Sequence, residues 1–109
     1  MLKKLLQIVV VVLLTSNSYA DVDETGTITR IIVEGSSIVS VWLSGIDITS
    51  ECSGGTRWTI QNSDPMFKEK VSALLSAAAA GNTVHLFHLT SFGCGNWDSN
   101  KIYYVDVTY

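Results

Sequence analysis

The sequence predicts a small β-rich α+β domain: an antiparallel sheet of about five strands, one α-helix inserted after the third main strand, and one disulfide. Three observations lead there. Runs rich in Val, Ile, Thr and aromatic residues alternate apolar with polar side chains over 27–33, 37–43, 56–61, 83–89 and 101–108, the period of a half-buried strand. The stretch 65–80 instead repeats its apolar residues at helical spacing. The chain has 109 residues, 47% hydrophobic and 16% charged, with a single Pro, which suits one globular domain and excludes disordered or collagen-like architectures.

A leader precedes the first strand. Lys3 and Lys4 stand before an apolar run over 5–14 broken only by Gln7, and the polar stretch 15–18 leads to Ala20. This is the three-part layout of a secretory signal over 1–20. Ser18 and Ala20 are small residues where a signal peptidase reads, so cleavage is expected between Ala20 and Asp21. The run's ten residues, rising about 1.5 Å each, cover only about half of a ~30 Å hydrocarbon layer, too little for a membrane span. No Cys closes the run to take a lipid. The expected product is a single exported domain, 21–109, periplasmic or secreted, without a membrane anchor after cleavage.

Within that domain 21–25 is acidic and polar and reads as a loosely ordered lead-in. The first strand follows, and its alternation slips at Ile31 and Ile32, the mark of a bulge. Gly35 and Ser36 turn the chain into a second strand, with Val39, Val41 and Leu43 on one side and Ile38, Ser40 and Trp42 on the other. A short strand fits 46–49, and 50–55 is a loop carrying Cys52. In the third main strand Trp58 and Ile60 alternate with Thr59 and Gln61. Asp64 is placed to cap the helix, Pro65 suits its first position, and Gly81 and Asn82 stop it after Ala80. Phe67, Val71, Leu74, Leu75 and Ala78 form the face that packs on the sheet, while Ala73, Ala77 and Ala80, with Met66, form a second stripe of mostly small residues. After the strand at 83–89 a loop over 90–100 holds Cys94 and Trp97, and the last strand alternates Tyr103, Val105 and Val107 with Ile102, Tyr104 and Asp106. This element order is that of the OB-fold, a small barrel that binds oligonucleotides and oligosaccharides; a two-layer α+β sheet would use the same elements.

Charge and cysteines narrow the function classes. Loss of Lys3 and Lys4 with the leader leaves 5 basic against 10 acidic residues, a surface that repels nucleic acid and anionic lipid. Cys52 and Cys94 are an even pair in an exported chain, so a disulfide is expected. His85 and His88, the only histidines, are three apart on a strand and face opposite sides, so one metal cannot take both. No serine sits in a nucleophile elbow, and Asp47 and Glu51 lack the cleft a glycosidase pair needs. No catalytic residue, metal or cofactor is therefore expected. The aromatics carry more: Trp97 lies between Asn96 and Asp98, and an exposed ring beside amide and carboxylate groups suits a sugar, whose apolar face stacks on the ring.

Several features together resemble the exported B subunits of the subtilase-cytotoxin and pertussis-like toxin group. They are Thr25-Gly26 at the start of the first strand, a cysteine and then Trp58 before the helix, a helix ending in Ala77-Ala78-Ala79-Ala80-Gly81-Asn82 followed by Val84 and Leu86, and Cys94 in the next loop. The resemblance implies an OB-fold that assembles into a homo-oligomeric ring, a pentamer, with helices lining a pore and glycans bound on the barrel's outer face. It also places Thr25 where that family uses a serine to contact sialic acid; threonine keeps the hydroxyl but adds a methyl. The expectation is a non-enzymatic exported binding module for a glycan or an envelope or host protein, with Thr25, Asn96, Trp97 and Asp98 as ligand contacts. The alternative is a periplasmic structural or inhibitory protein acting through a protein–protein interface.

Overall fold

The computed structural model describes residues 21–35, 37–45 and 50–109. The leader at 1–20 and the short strand expected at 46–49 lie outside the described residues. The elements are β1 (Val22–Glu34), β2 (Ile38–Leu43), β3 (Trp58–Gln61), helix α1 (Phe67–Ala80), β4 (Thr83–His88), 3-10 turns at Thr90–Phe92 and Asn96–Asp98, β5 (Asn100–Lys101) and β6 (Tyr104–Thr108). They form one curled mixed sheet in the order β5-β3-β2-β1-β4-β6, with α1 packed against it.

Six strands replace the five expected, and the sheet is mixed because β5 runs parallel to β3. The cause lies in the last predicted strand, which changes partner halfway. Asn100 and Lys101 pair with Trp58 and Thr59 of β3, and Ile102 N–H still donates to the Thr59 carbonyl at 3.0 Å. The next residue, Tyr103, donates to Phe87 of β4 at 2.7 Å, and β6 continues antiparallel to β4. Ile102, at the switch, is fully buried.

The lead-in is also ordered, contrary to expectation. Residues 22–27 pair with β4, 28–34 pair with β2, and the register shifts between Ile28 and Arg30, earlier than the slip read at Ile31 and Ile32. Two different partners account for a strand of 13 residues. Its buried Glu24 accepts a hydrogen bond from the Trp58 indole N–H at 2.9 Å.

Of the two sides read for β2, the one carrying Val39, Val41 and Leu43 faces inward, and it packs with Trp58, Ile60, Leu74, Ala77, Val84, Leu86 and Ile102. Helix α1 begins at Phe67, after Met66 in the left-handed region (φ 59°), with no side-chain cap. Asp64 does other work: the Gln61 N–H donates to its Oδ2 at 2.7 Å and the Lys101 ammonium lies 3.3 Å from its Oδ1. Two-residue β5 pairs only with Trp58 and Thr59, and beyond it Asp64 supplies the acceptor for the Gln61 amide at the end of β3. At the other end Gly81 (φ 70°) and Asn82 N–H, bonded to the Ala77 carbonyl, close the helix as expected. Ala77 takes the inward place assigned to Leu75, which is 47% exposed.

Candidate functional site

The site begins with the link Cys52–Cys94, which ties the loop before β3 to the loop before β5. Around it the two loops are laced by polar contacts. Gly54 N–H donates to the Asp98 carbonyl at 2.8 Å, and Ser53 donates to Asp98 Oδ2 from its N–H at 2.6 Å and from its hydroxyl. Those donors, the hydroxyl first and the amide second, hold the Asp98 carboxyl below the usual aspartate value. Gly95 N–H donates to Ser99 O, and the buried hydroxyls of Ser99 and Thr59 bond at 2.6 Å. The turn thus covers the outer side of β3, which is why Thr59, on the face opposite Trp58 and Ile60, is fully buried as well.

Trp97 and Asp98 both adopt left-handed backbone (φ 58° and 53°), and the turn they make leaves Trp97 49% exposed. One face of its ring is taken by Arg57, whose guanidinium carbon lies 3.7 Å from the ring centroid. Arg57 donates from Nε and Nη2 to Ser40 Oγ at 3.2 and 2.9 Å and also lies 5.1 Å from the Trp42 centroid. Arg30 stands 4.8 Å over Trp42. Arg30, Trp42, Arg57 and Trp97 therefore form one alternating cation–π row that runs from β1 and β2 to the residue before β3 and the turn. Next to Trp97, Asn96 accepts from the Gln61 amide and lines an open pocket of about 360 Å³ with Ser37, Ile38, Gln61, Asn62 and Ser63.

Thr25 is elsewhere. It pairs with His85 on the outer face of β1 and β4, where His85 Nε2 lies 3.0 Å from Asp23 and its Nδ1 4.0 Å from Asp106. Phe87 stacks on Tyr104 with centroids 5.1 Å apart, and Tyr103 and Phe92 extend this aromatic group. The four predicted contacts thus divide between two faces. Asn96 lines the pocket, Trp97 beside it in the chain is half exposed, Asp98 is engaged in fixing the turn, and Thr25 belongs to an acidic, aromatic patch.

His88 faces inward, fully buried, opposite to His85. Its Nδ1 lies 3.1 Å from the Lys101 carbonyl and its Nε2 2.9 Å from Glu51 Oε1 and 3.9 Å from Cys52 Sγ. Both ring nitrogens thus face oxygen atoms, Nδ1 a backbone carbonyl and Nε2 a carboxylate. No arrangement of nucleophile, base and orienting acid accompanies it among the described residues.

Sequence reasoning passed over Arg30, Arg57, Phe87 and Tyr104. Arg57 carried a faint signal, one position before a buried Trp and so on the outward face; the others depend on strand register. In comparisons with known protein families, curated proteins and solved structures, the chain matches none.

Proposed function

We propose that this chain is an exported, non-enzymatic binding module on an OB-type barrel that recognises a glycan around Asn96 and Trp97. The observation that carries the reading is the half-exposed Trp97 ring, stiffened on one face by Arg57 and next in the chain to Asn96, which lines a polar pocket. A stacked sugar needs one free apolar ring face and neighbouring amides and hydroxyls, and Asn96, Gln61, Asn62 and the two serines supply the latter. Connectivity supports the barrel: β5 and β6 stand at opposite ends of the sheet order yet are separated along the chain only by Ile102 and Tyr103, which draws the two edges together. The paired cysteines and the leader support export, and no helix among the described residues is long and apolar enough to cross a membrane.

The test is glycan-array binding by the 21–109 chain, then titration of any hit against Trp97→Ala and Thr25→Ala. Trp97→Ala should weaken binding about tenfold, the scale of a lost aromatic stack. Loss on Thr25→Ala alone would move the site to the β1–β4–β6 face and favour the toxin-like mode. Light scattering of the oxidised chain reads the ring: five times the monomer mass supports the B-subunit resemblance, and a monomer at all concentrations removes it.

The exposed Tyr103 and Tyr104, with Arg30 and Trp42, favour the second reading, a protein–protein interface, because Tyr, Trp and Arg are the anchors such surfaces use. Silence on the array, with one envelope protein retained by the immobilised chain and released by Tyr104→Ala, would establish it.

A further inference from the structure

We propose that the dithiol form of this chain is a zinc site, with Cys52, Cys94, His88 and Glu51 as its four ligands. Three of the four donors are already gathered, since Glu51 carboxylate oxygen, Cys52 Sγ and His88 Nε2 all lie within 4.8 Å of one another, and the fourth, Cys94, is bonded to Cys52 and joins them once that bond opens. Two thiolates, one imidazole and one carboxylate complete the tetrahedron that Zn²⁺ takes from protein ligands. The histidine is prepared for this role. Its Nδ1–H donates to the Lys101 carbonyl, which fixes the tautomer and ring orientation and leaves Nε2 aimed at Cys52 and Glu51. Asp98 also lies near the two sulfurs, but Ser53 occupies its Oδ2 from two donors, so Glu51 is the fourth ligand.

The chemistry balances with a dithiol reductant. The reductant gives two electrons and two protons to the Cys52–Cys94 bond and becomes a disulfide itself. Zinc then displaces the two thiol protons, together with any proton held between His88 Nε2 and Glu51 Oε1, and these pass to solvent. The outcome is a second way to tie the same two loops. In reducing surroundings the metal holds the Trp97 turn to the loop before β3, and in oxidising ones the disulfide does.

The experiment uses the chain reduced with a dithiol, freed of reductant without air, and loaded with ZnCl₂, beside the oxidised chain. Metal content after gel filtration should be about one zinc per reduced chain and none per oxidised chain. Competition with a chromogenic chelator should show binding weakened at least about tenfold by His88→Gln and by Glu51→Gln, and unchanged by Asp98→Asn. Near-ultraviolet circular dichroism, reporting the buried Trp58, distinguishes a folded site from zinc caught by an unfolded chain. No zinc on the reduced chain, equal zinc on both forms, zinc without the native aromatic signal, or affinity indifferent to both His88→Gln and Glu51→Gln overturns the proposal.

Discussion

Replacing Gly95 by Ala should destabilise the oxidised domain by about 2–4 kcal/mol, and the reason is space rather than backbone conformation. Gly95 sits at φ −85° and ψ −168°, which any residue adopts. A Cβ there, however, would overlap Thr59 Oγ1 and come within 2.9 Å of Ser99 Oγ, two fully buried hydroxyls bonded to each other at 2.6 Å. Neither can withdraw into solvent. Overpacking of this kind costs about 1–3 kcal/mol, and parting the buried hydroxyl pair adds about 1 kcal/mol. Equilibrium urea unfolding followed by tryptophan fluorescence measures the loss, with an unchanged denaturant slope showing that the transition is the same one. A double-mutant cycle tests the cause. Thr59→Ala removes the oxygen in the way, so Gly95→Ala should cost at least about 1 kcal/mol less in that background than in the wild type. Strict additivity of the two substitutions, or a single Gly95→Ala indistinguishable from wild type, would refute the packing of the 94–99 loop against β3.

Three other outcomes are expected. Removing the disulfide with Cys52→Ala and Cys94→Ala together releases a loop with a sequence separation of 42, worth about 4 kcal/mol in the chain-entropy model, and thermal unfolding should show a fall of well over ten degrees; a shift of only a few degrees would mean that the denatured chain keeps these loops together on its own. Leu74→Ala should lose about 2–5 kcal/mol, because the side chain is wholly buried between α1 and the sheet, whereas Leu75→Ala on the exposed face should stay within about 1 kcal/mol. Ser53→Ala should return the Asp98 carboxyl towards its ordinary value of 3.8, read by carboxyl NMR titration. Since that carboxyl is held low in the fold, its contribution is complete above 3.8 and is lost as pH falls through the folded value; an unmoved titration would separate Asp98 from Ser53.

Local pattern and long-range pairing divide what was readable in this sequence. The alternation of Val39, Val41 and Leu43 against Ser40 and Trp42 follows from strand period alone, and Gly81 ends α1 because only a residue tolerant of positive φ closes the turn there. The start of α1 misled for a physical reason. Asp64 and Pro65 have the chemistry of a cap, but a stronger demand nearby, the Gln61 amide beyond the last β5 pair, takes the carboxylate. The acidic opening at 21–25 misled likewise: its residues look solvated because every second one is, while Glu24 turns inward to the Trp58 indole.

The same division explains why the predicted contacts separate into two faces. Asn96, Trp97 and Asp98 share a turn, and adjacency in sequence guaranteed their company; what it hid was that the Asp98 carboxylate is held by the turn's own anchoring at Ser53. Thr25 reaches its neighbours only through the β1–β4 register, and Arg30 reaches Trp42 only through the β1–β2 register after the shift at Ile28. A one-residue change in either register would turn the relevant side chains to the opposite face. A row such as Arg30, Trp42, Arg57 and Trp97 is therefore a property of three strand pairings and a disulfide together. It follows that Trp97 is as exposed and as rigid as the loop tie beneath it permits, and under the proposed glycan-binding function affinity at that ring should fall when Cys52 and Cys94 are replaced. Equal affinity in the bridged and unbridged domains, both folded, would show that Arg57 alone holds the ring in place.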